Sequence, residues 1–151
     1  GMCRLGIGLY GFEAAPVDMG LRNVASLKST ILQIKDIPVT ETVGYMRNGK
    51  LKRDTRIAMI PIGYADGYDR RLGNGNFCMM VNGHLCPTLG NVCMDVTFID
   101  VTDCPEAKEG DTVEIFGNQL PLQEMAQKLG TINYEVLSTV SVRVKRVYYK
   151  E

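Results

Sequence analysis

Residues 77–87 read FCMMVNGHLCP, two apolar arms on either side of Asn82-Gly83. Both positions of a two-residue hairpin turn need positive φ, which Asn and Gly tolerate, so this stretch predicts a tight β-hairpin. The same pattern extends outward from it. Residues 55–62 (TRIAMIPI) are apolar on both faces, as a central strand is, and Pro61 marks where its pairing ends. Residues 24–39 (VASLKSTILQIKDIPV) are rich in β-branched side chains. Their apolar set runs through Ala25, Leu27 and Ile31 and then shifts phase to Leu32 and Ile34, which requires a bulge or bend.

Further along, residues 91–101 (NVCMDVTFIDV) alternate Val92, Met94, Val96 and Phe98 against Cys93, Asp95, Thr97 and Ile99, predicting a strand with Met94 turned inward. Residues 112–116 form another short strand between turn signals, and residues 140–149 (VSVRVKRVYY) read as a terminal strand. The opening RLGIGLYG (4–11) reads as an apolar strand entering a Gly-rich loop. Only residues 120–129 break the pattern. There Leu122, Met125, Ala126 and Leu129 recur with helical spacing between Pro121 and Gly130, a helix start and a helix stop, and a second helical turn is predicted from Asn133. At least six strands and one or two short helices make a mainly β domain of the barrel or sandwich type.

Composition narrows the function. The 151 residues hold 45% apolar side chains, enough for one core. Lys+Arg and Asp+Glu balance at 17 each, which removes the basic excess that nucleic acid or an anionic membrane attracts. No apolar run approaches the roughly 20 residues of a membrane span, and the start of the chain lacks the pattern of a secretory signal. Five cysteines without a C-x-x-C pair, with His84 the only histidine, indicate neither a zinc site nor a full disulfide framework. A reducing, cytoplasmic setting is expected, with no metal.

Three stretches hold residues suited to chemistry. In Gly63-Tyr64-Ala65-Asp66-Gly67-Tyr68 a strand ends in a loop where glycines allow close approach to a ligand and a phenol can move a proton. The same residues also read as a tight turn cornered at Asp66-Gly67, with Tyr64 half-buried as a packing residue. Gly90-Asn91-Val92-Cys93-Met94-Asp95 brings a thiol and a carboxylate together, or is simply a strand. Thr131-Ile132-Asn133-Tyr134-Glu135 reads as a helix cap.

Taken together and in order, IPIGYADGYDRRL (60–72), VNGHLCPTLGNVCMD (81–95) and TINYEV (131–136) resemble the C-terminal β domain of alanine racemase, a pyridoxal-phosphate enzyme of fold type III. The resemblance runs from RLGIGLYG to VSVRVKRVYY. It implies that residues 1–12 are an exit segment from an α/β barrel lying outside this chain, that residues 13–151 are the β domain, and that the cofactor lysine belongs to that barrel. It implies, by position, a catalytic role for Tyr64, which would reach into the barrel of a second subunit in a head-to-tail homodimer. Met94 would bind the substrate carboxylate through its backbone N–H, Tyr134 would reach the cofactor phosphate, and Cys93 and Asp95 would line the entrance. The family commonly carries an arginine where Asn91 stands, so an entrance cation or a salt bridge is missing. Tyr45 falls in a family-like stretch and is expected to be structural.

The implied chemistry is two-base racemisation of alanine, one base being the freed lysine and the other Tyr64 from the neighbouring chain, supplying D-alanine for peptidoglycan. A phenol used as a base at neutral pH has to have its ionised form favoured by roughly 4 kcal/mol, which cationic neighbours must supply. The isolated domain is therefore expected to fold without racemising. Two other fold type III activities fit less of the pattern: racemisation of another amino acid, and decarboxylation of a basic amino acid, where a cysteine near Asp95 would serve. A non-catalytic β-barrel interaction module is the alternative from a different class.

Overall fold

A computed structural model describes residues 1–4, 6–12 and 19–149. Among these residues nine strands and two α-helices are found: β1 (Leu27–Thr30), β2 (Gln33–Ile37), β3 (Thr42–Val43), β4 (Gly49–Lys50), β5 (Thr55–Ile60), β6 (Cys78–Val81), β7 (His84–Leu89), β8 (Thr97–Asp100), β9 (Thr112–Phe116), α1 (Leu122–Leu129) and α2 (Asn133–Thr139). Seven strands form one antiparallel sheet in the order β1-β9-β6-β7-β8-β5-β2, while β3 and β4 make a separate two-stranded ribbon.

That order has a geometric consequence. β1 and β2 occupy opposite edges of the sheet, yet only Ile31 and Leu32 separate them in the chain. Three Cα–Cα steps reach at most about 11 Å, so the sheet has to curl until its edges meet. The hydrogen bonds show the closure. Ile31 donates to the carbonyl of Asp111 (3.0 Å) and accepts from Gly110 (2.8 Å) beside β9, whereas the next residue, Leu32, donates to Met59 of β5 (2.9 Å). The phase shift in the apolar pattern at Ile31–Leu32 is this corner.

Curling encloses one face. Ile60, Met79, Val81, Ile99, Val113 and Ile115 all point into a core without measurable exposure, and α1 adds Leu122, Met125 and Ala126 to it. The helix occupies the predicted apolar stripe, beginning two residues later than expected because Pro121 is its cap and stopping at Gly130 in the left-handed region. The predicted hairpin is present, with Val81 opposite His84 and both Asn82 and Gly83 at positive φ. Strand β5 is central, flanked by β8 and β2.

Three expectations need correction. The alternating 91–101 stretch is a strand only over Thr97–Asp100. Before it, Val92 and Cys93 are both buried while Met94 and Asp95 are both exposed, because the Cys93 N–H closes a turn onto the Val96 carbonyl (3.0 Å) instead of joining a ladder. Residues 140–149 form no strand. Their backbone is held by turns and by Arg146, which donates to the carbonyls of Val140, Ser141 and Val144. Within the 4–11 stretch, Ile7–Tyr10 is a 3₁₀ turn rather than a strand, and Leu5 lies outside the described residues. The domain boundary expected after residue 12 abuts residues 13–18, also outside them. No helix among the described residues is long and apolar enough to cross a membrane.

Burial separates positions that the sequence treats alike. Ile99 is fully enclosed, and Leu85, on the hairpin, is 56% exposed. Ile99→Ala should lower unfolding free energy by about 2–5 kcal/mol, and Leu85→Ala by no more than about 0.5 kcal/mol, in urea denaturation of the chain. Equal effects would mean that the curled sheet does not enclose the core as described.

Candidate active site

The GYADGY loop leaves the end of β5 and is welded to the turn that precedes β8. Tyr64 and Ala65 donate their backbone N–H groups to the carbonyls of Cys93 and Met94, both at 3.0 Å. Gly63 makes this approach possible, since a Cβ there would lie 2.3–2.4 Å from those same two carbonyl oxygens. At the other side of the loop, Gly67 adopts φ +97°, and a Cβ would fall 2.1 Å from the Thr139 carbonyl at the end of α2. Two of the three chemistry-bearing stretches are thus joined backbone to backbone, and α2, which begins in the third, meets the first at Gly67.

The loop separates its two tyrosines. Tyr68 is 2% exposed in the core, where burial pushes its phenol far above the ordinary range, so it is a packing residue. Tyr64 lies in a 3₁₀ turn (Tyr64–Asp66) and is 43% exposed. Its hydroxyl has no hydrogen-bond partner among the described residues. Tyr64 opens onto a shallow depression of about 530 Å³ shared with Arg70, Arg71 and the α2 residues Glu135, Val136 and Thr139.

Asp66 organises this rim. Its carboxylate accepts from the Gly63 N–H (2.8 Å) and from Arg143 Nε (2.6 Å), and a second guanidinium nitrogen of Arg143 reaches Asp95 (2.5 Å). The Ser141 N–H donates to the Asp66 carbonyl (3.0 Å). Arg143 therefore clasps the Tyr64 loop, the Met94 turn and the segment after α2. Partial burial alone would raise the Asp66 carboxyl, but the Arg143 guanidinium and the Gly63 N–H outweigh it and hold the group below the usual carboxylate range. The two carboxylates in turn hold Arg143 firmly charged. Sequence reading placed Arg143 in a strand and gave it no role. Its one signal was a lone arginine among valines, which has meaning only once the chain is folded.

The remaining expected residues divide clearly. Met94 is 54% exposed rather than turned inward, and its N–H has no partner among the described residues. The Cys93 thiol is buried against the Asn91 carbonyl (3.6 Å), where burial raises its pKa, so Cys93 contributes its carbonyl to the loop and no nucleophile. Asp95 is exposed and committed to Arg143. Tyr134 projects from the first turn of α2, packs edge-on against Tyr10 (6.4 Å between ring centres), and has its hydroxyl beside Gly6. Neither Thr131 nor Asn133 caps α2. Its N-terminal boundary is Ile132, and Thr131 instead bonds the Glu135 carboxylate through its hydroxyl. Asn91 accepts from the Asn74 amide (3.0 Å), and Tyr45 is largely exposed, which removes a packing role within this chain.

Comparison with known proteins gives the family and the fold. Residues 24–148 match the family model described as alanine racemase, C-terminal domain. The chain is 41% identical over 149 residues to the alanine racemase of Stutzerimonas stutzeri (strain A1501), covering 96% of this chain and 41% of that protein. The crystal structure of the biosynthetic alanine racemase from Pseudomonas aeruginosa superposes with a TM-score of 0.88 at 38% identity, over 96% of this chain and 41% of that one. Alanine racemase from Bartonella henselae with covalently bound pyridoxal phosphate gives a TM-score of 0.88 at 34% identity, over 95% and 40%. The chain spans about two-fifths of the length of the curated relatives it matches.

The clasp makes a prediction with a definite sign. A carboxyl whose folded pKa is depressed contributes stability above the ordinary carboxylate range and loses it as the pH falls through the depressed value. Asp66→Asn should therefore destabilise the chain at neutral pH, by a margin that shrinks steadily in denaturation curves recorded toward pH 3. A margin independent of pH would show that the Asp66–Arg143 charge pair contributes nothing.

Proposed function

The chain belongs to the alanine racemase C-terminal domain family, and from that we propose that it supplies one of the two acid/base groups of an alanine racemase, with Tyr64 as that group. The observation that carries this reading is the state of Tyr64. Its phenol is exposed and unengaged among the described residues, and it sits on a loop whose backbone is pinned on both sides. A side chain that served only packing would not stand out from so fixed a base.

The parts of this chain fit the cofactor that the family implies. Among the described residues neither the exposed Tyr134 hydroxyl nor the Met94 N–H has a partner, and the first is suited to donate to a phosphate oxygen, the second to a substrate carboxylate. When bound, pyridoxal phosphate supplies the electron sink that stabilises the charge left at Cα by proton removal. The remaining work falls to protein groups. Tyr64 takes or returns a proton at one face of Cα, and a lysine outside this chain serves the other. Met94 holds the carboxylate so that Cα faces the phenol. The Arg143 clasp keeps the Tyr64 and Met94 loops in fixed relation, which matters because misplacement by about 1 Å can cost on the order of a hundredfold in rate.

In this reading Tyr64 acts in the barrel of a partner subunit of a head-to-tail homodimer, and the exposed Tyr64, Met94, Ile132 and Tyr134 face that partner. Asp95 lines the entrance in this reading, and Arg70 and Arg71, in the depression onto which Tyr64 opens, leave cationic groups near the rim although Asn91 replaces the usual arginine. The product, D-alanine, would serve peptidoglycan assembly in the cytoplasm.

Solvent-deuterium exchange at Cα tests the assignment. In the racemase that carries this domain, Tyr64→Phe should abolish exchange from one enantiomer of alanine by about a hundredfold or more while retaining exchange from the other. Unchanged exchange in both directions would return Tyr64 to a structural role. The 151-residue chain by itself should give no measurable racemisation, checked by chiral chromatography of alanine incubated with the chain and pyridoxal phosphate.

A further inference from the structure

We propose that His84, Cys104 and Glu106 form a binding site for a zinc-type divalent metal ion, separate from the Tyr64 rim. The three residues come from two parts of the chain. His84 opens β7 directly after the Asn82–Gly83 turn. Cys104 and Glu106 lie in the connection between β8 and β9, in tandem turns fixed by the Cys104 N–H on the Val101 carbonyl and the Ala107 N–H on the Cys104 carbonyl, both 3.0 Å. The hairpin tip is tied to the same connection, since the Asn82 amide donates to Asp111 (2.8 Å).

The donor atoms already converge. His84 Nε2 is 3.1 Å from Glu106 Oε1, Cys104 Sγ is 3.4 Å from that same oxygen, and all three donors lie within 4.8 Å of one another. A tetrahedral zinc ion with bonds of about 2.0–2.3 Å to nitrogen, oxygen and sulfur sets its ligands roughly 3.3–3.8 Å apart. The two Glu106 edges are within a few tenths of an ångström of that spacing. Closing the His84–Cys104 edge needs at most a side-chain adjustment of about 1.5 Å.

Chemistry selects the ion. Calcium and magnesium require sets made of oxygen, whereas one thiolate, one imidazole and one carboxylate suit zinc, with a water in the fourth position. A thiolate and a carboxylate beside a neutral imidazole also balance the charge of a dication. Cys104 is fully buried beneath two residues that are each about half exposed, so the soft ligand lies inward and the opening faces solvent. Binding forms a metal–sulfur bond in place of the thiol S–H bond and releases that proton to solvent. The bound ion would fasten the hairpin tip to the β8–β9 connection.

The test uses the 151-residue chain, reduced and stripped with chelator, in a Cys3→Ser background that removes the exposed thiol. Titration with Co²⁺ should saturate at one ion per chain and show thiolate-to-metal charge-transfer absorption, which Zn²⁺ abolishes on displacing Co²⁺. His84→Gln and Glu106→Gln, both at half-exposed positions, should each weaken binding about tenfold or more while leaving the fold intact by circular dichroism. These variants keep the test decisive even if Cys104→Ser, within the core, fails to fold. Absence of stoichiometric binding, a cobalt spectrum without the thiolate band, or an affinity unchanged in His84→Gln would overturn the proposal.

Discussion

The architecture depends on a two-residue connection. Ile31 and Leu32 join strands at opposite edges of a seven-stranded sheet, and no flat arrangement allows so short a link. Once the edges are drawn together, one sheet face becomes an interior, and the long apolar side chains of β5, β6, β8 and β9 have a common place to be buried. The hydrophobic effect supplies the stability, but the link decides which surface it acts on. Ile31 itself is almost wholly buried and bonds through both of its backbone polar groups, so the corner leaves no orphaned donor or acceptor there.

From that closed frame the rim is built outward. β5 ends at Ile60, just before Pro61, and the following loop is trapped between the Cys93–Met94 carbonyls and the end of α2. The result is a division of labour within one motif. Tyr68 turns into the core and anchors the loop, whereas Tyr64 is left to solvent. Arg143 completes the arrangement by pairing with two carboxylates from separate loops. An exposed pair held by one flexible side chain contributes little, but a guanidinium shared between two anchored carboxylates fixes geometry as well as charge.

Much of this was legible beforehand. The hairpin, the central strand, the bend at Ile31–Leu32 and helix α1 were each specified by local chemistry: positive φ at Asn82–Gly83, two apolar faces, a phase shift, and a 3.6-residue stripe with stop signals. The misreadings share one cause. Alternation in 91–96, ahead of β8, and valine spacing in 140–149 mimic strands, yet a strand also needs a partner, and in both segments the hydrogen bonds go elsewhere, to the Tyr64 loop or to Arg146. At the candidate site, Tyr64, Met94 and Tyr134 were singled out through family motifs. Arg143 was not, because its partners are remote in sequence, and the convergence of His84 with Cys104 and Glu106 was hidden for the same reason.

The distance in sequence between Arg143 and Asp66, 77 residues, also orders events in time. At about 5–20 residues per second, a ribosome delivers Arg143 roughly 4–15 s after the loop it clasps. The β5 and β6–β7 segments can begin to pair in that interval, and the Cys93–Met94 turn can already hold the Tyr64 loop on one side, but the clasp on Asp66 waits for Arg143. A nascent chain therefore displays its tyrosine on an unclasped loop, and only a chain translated past α2 acquires the fixed rim.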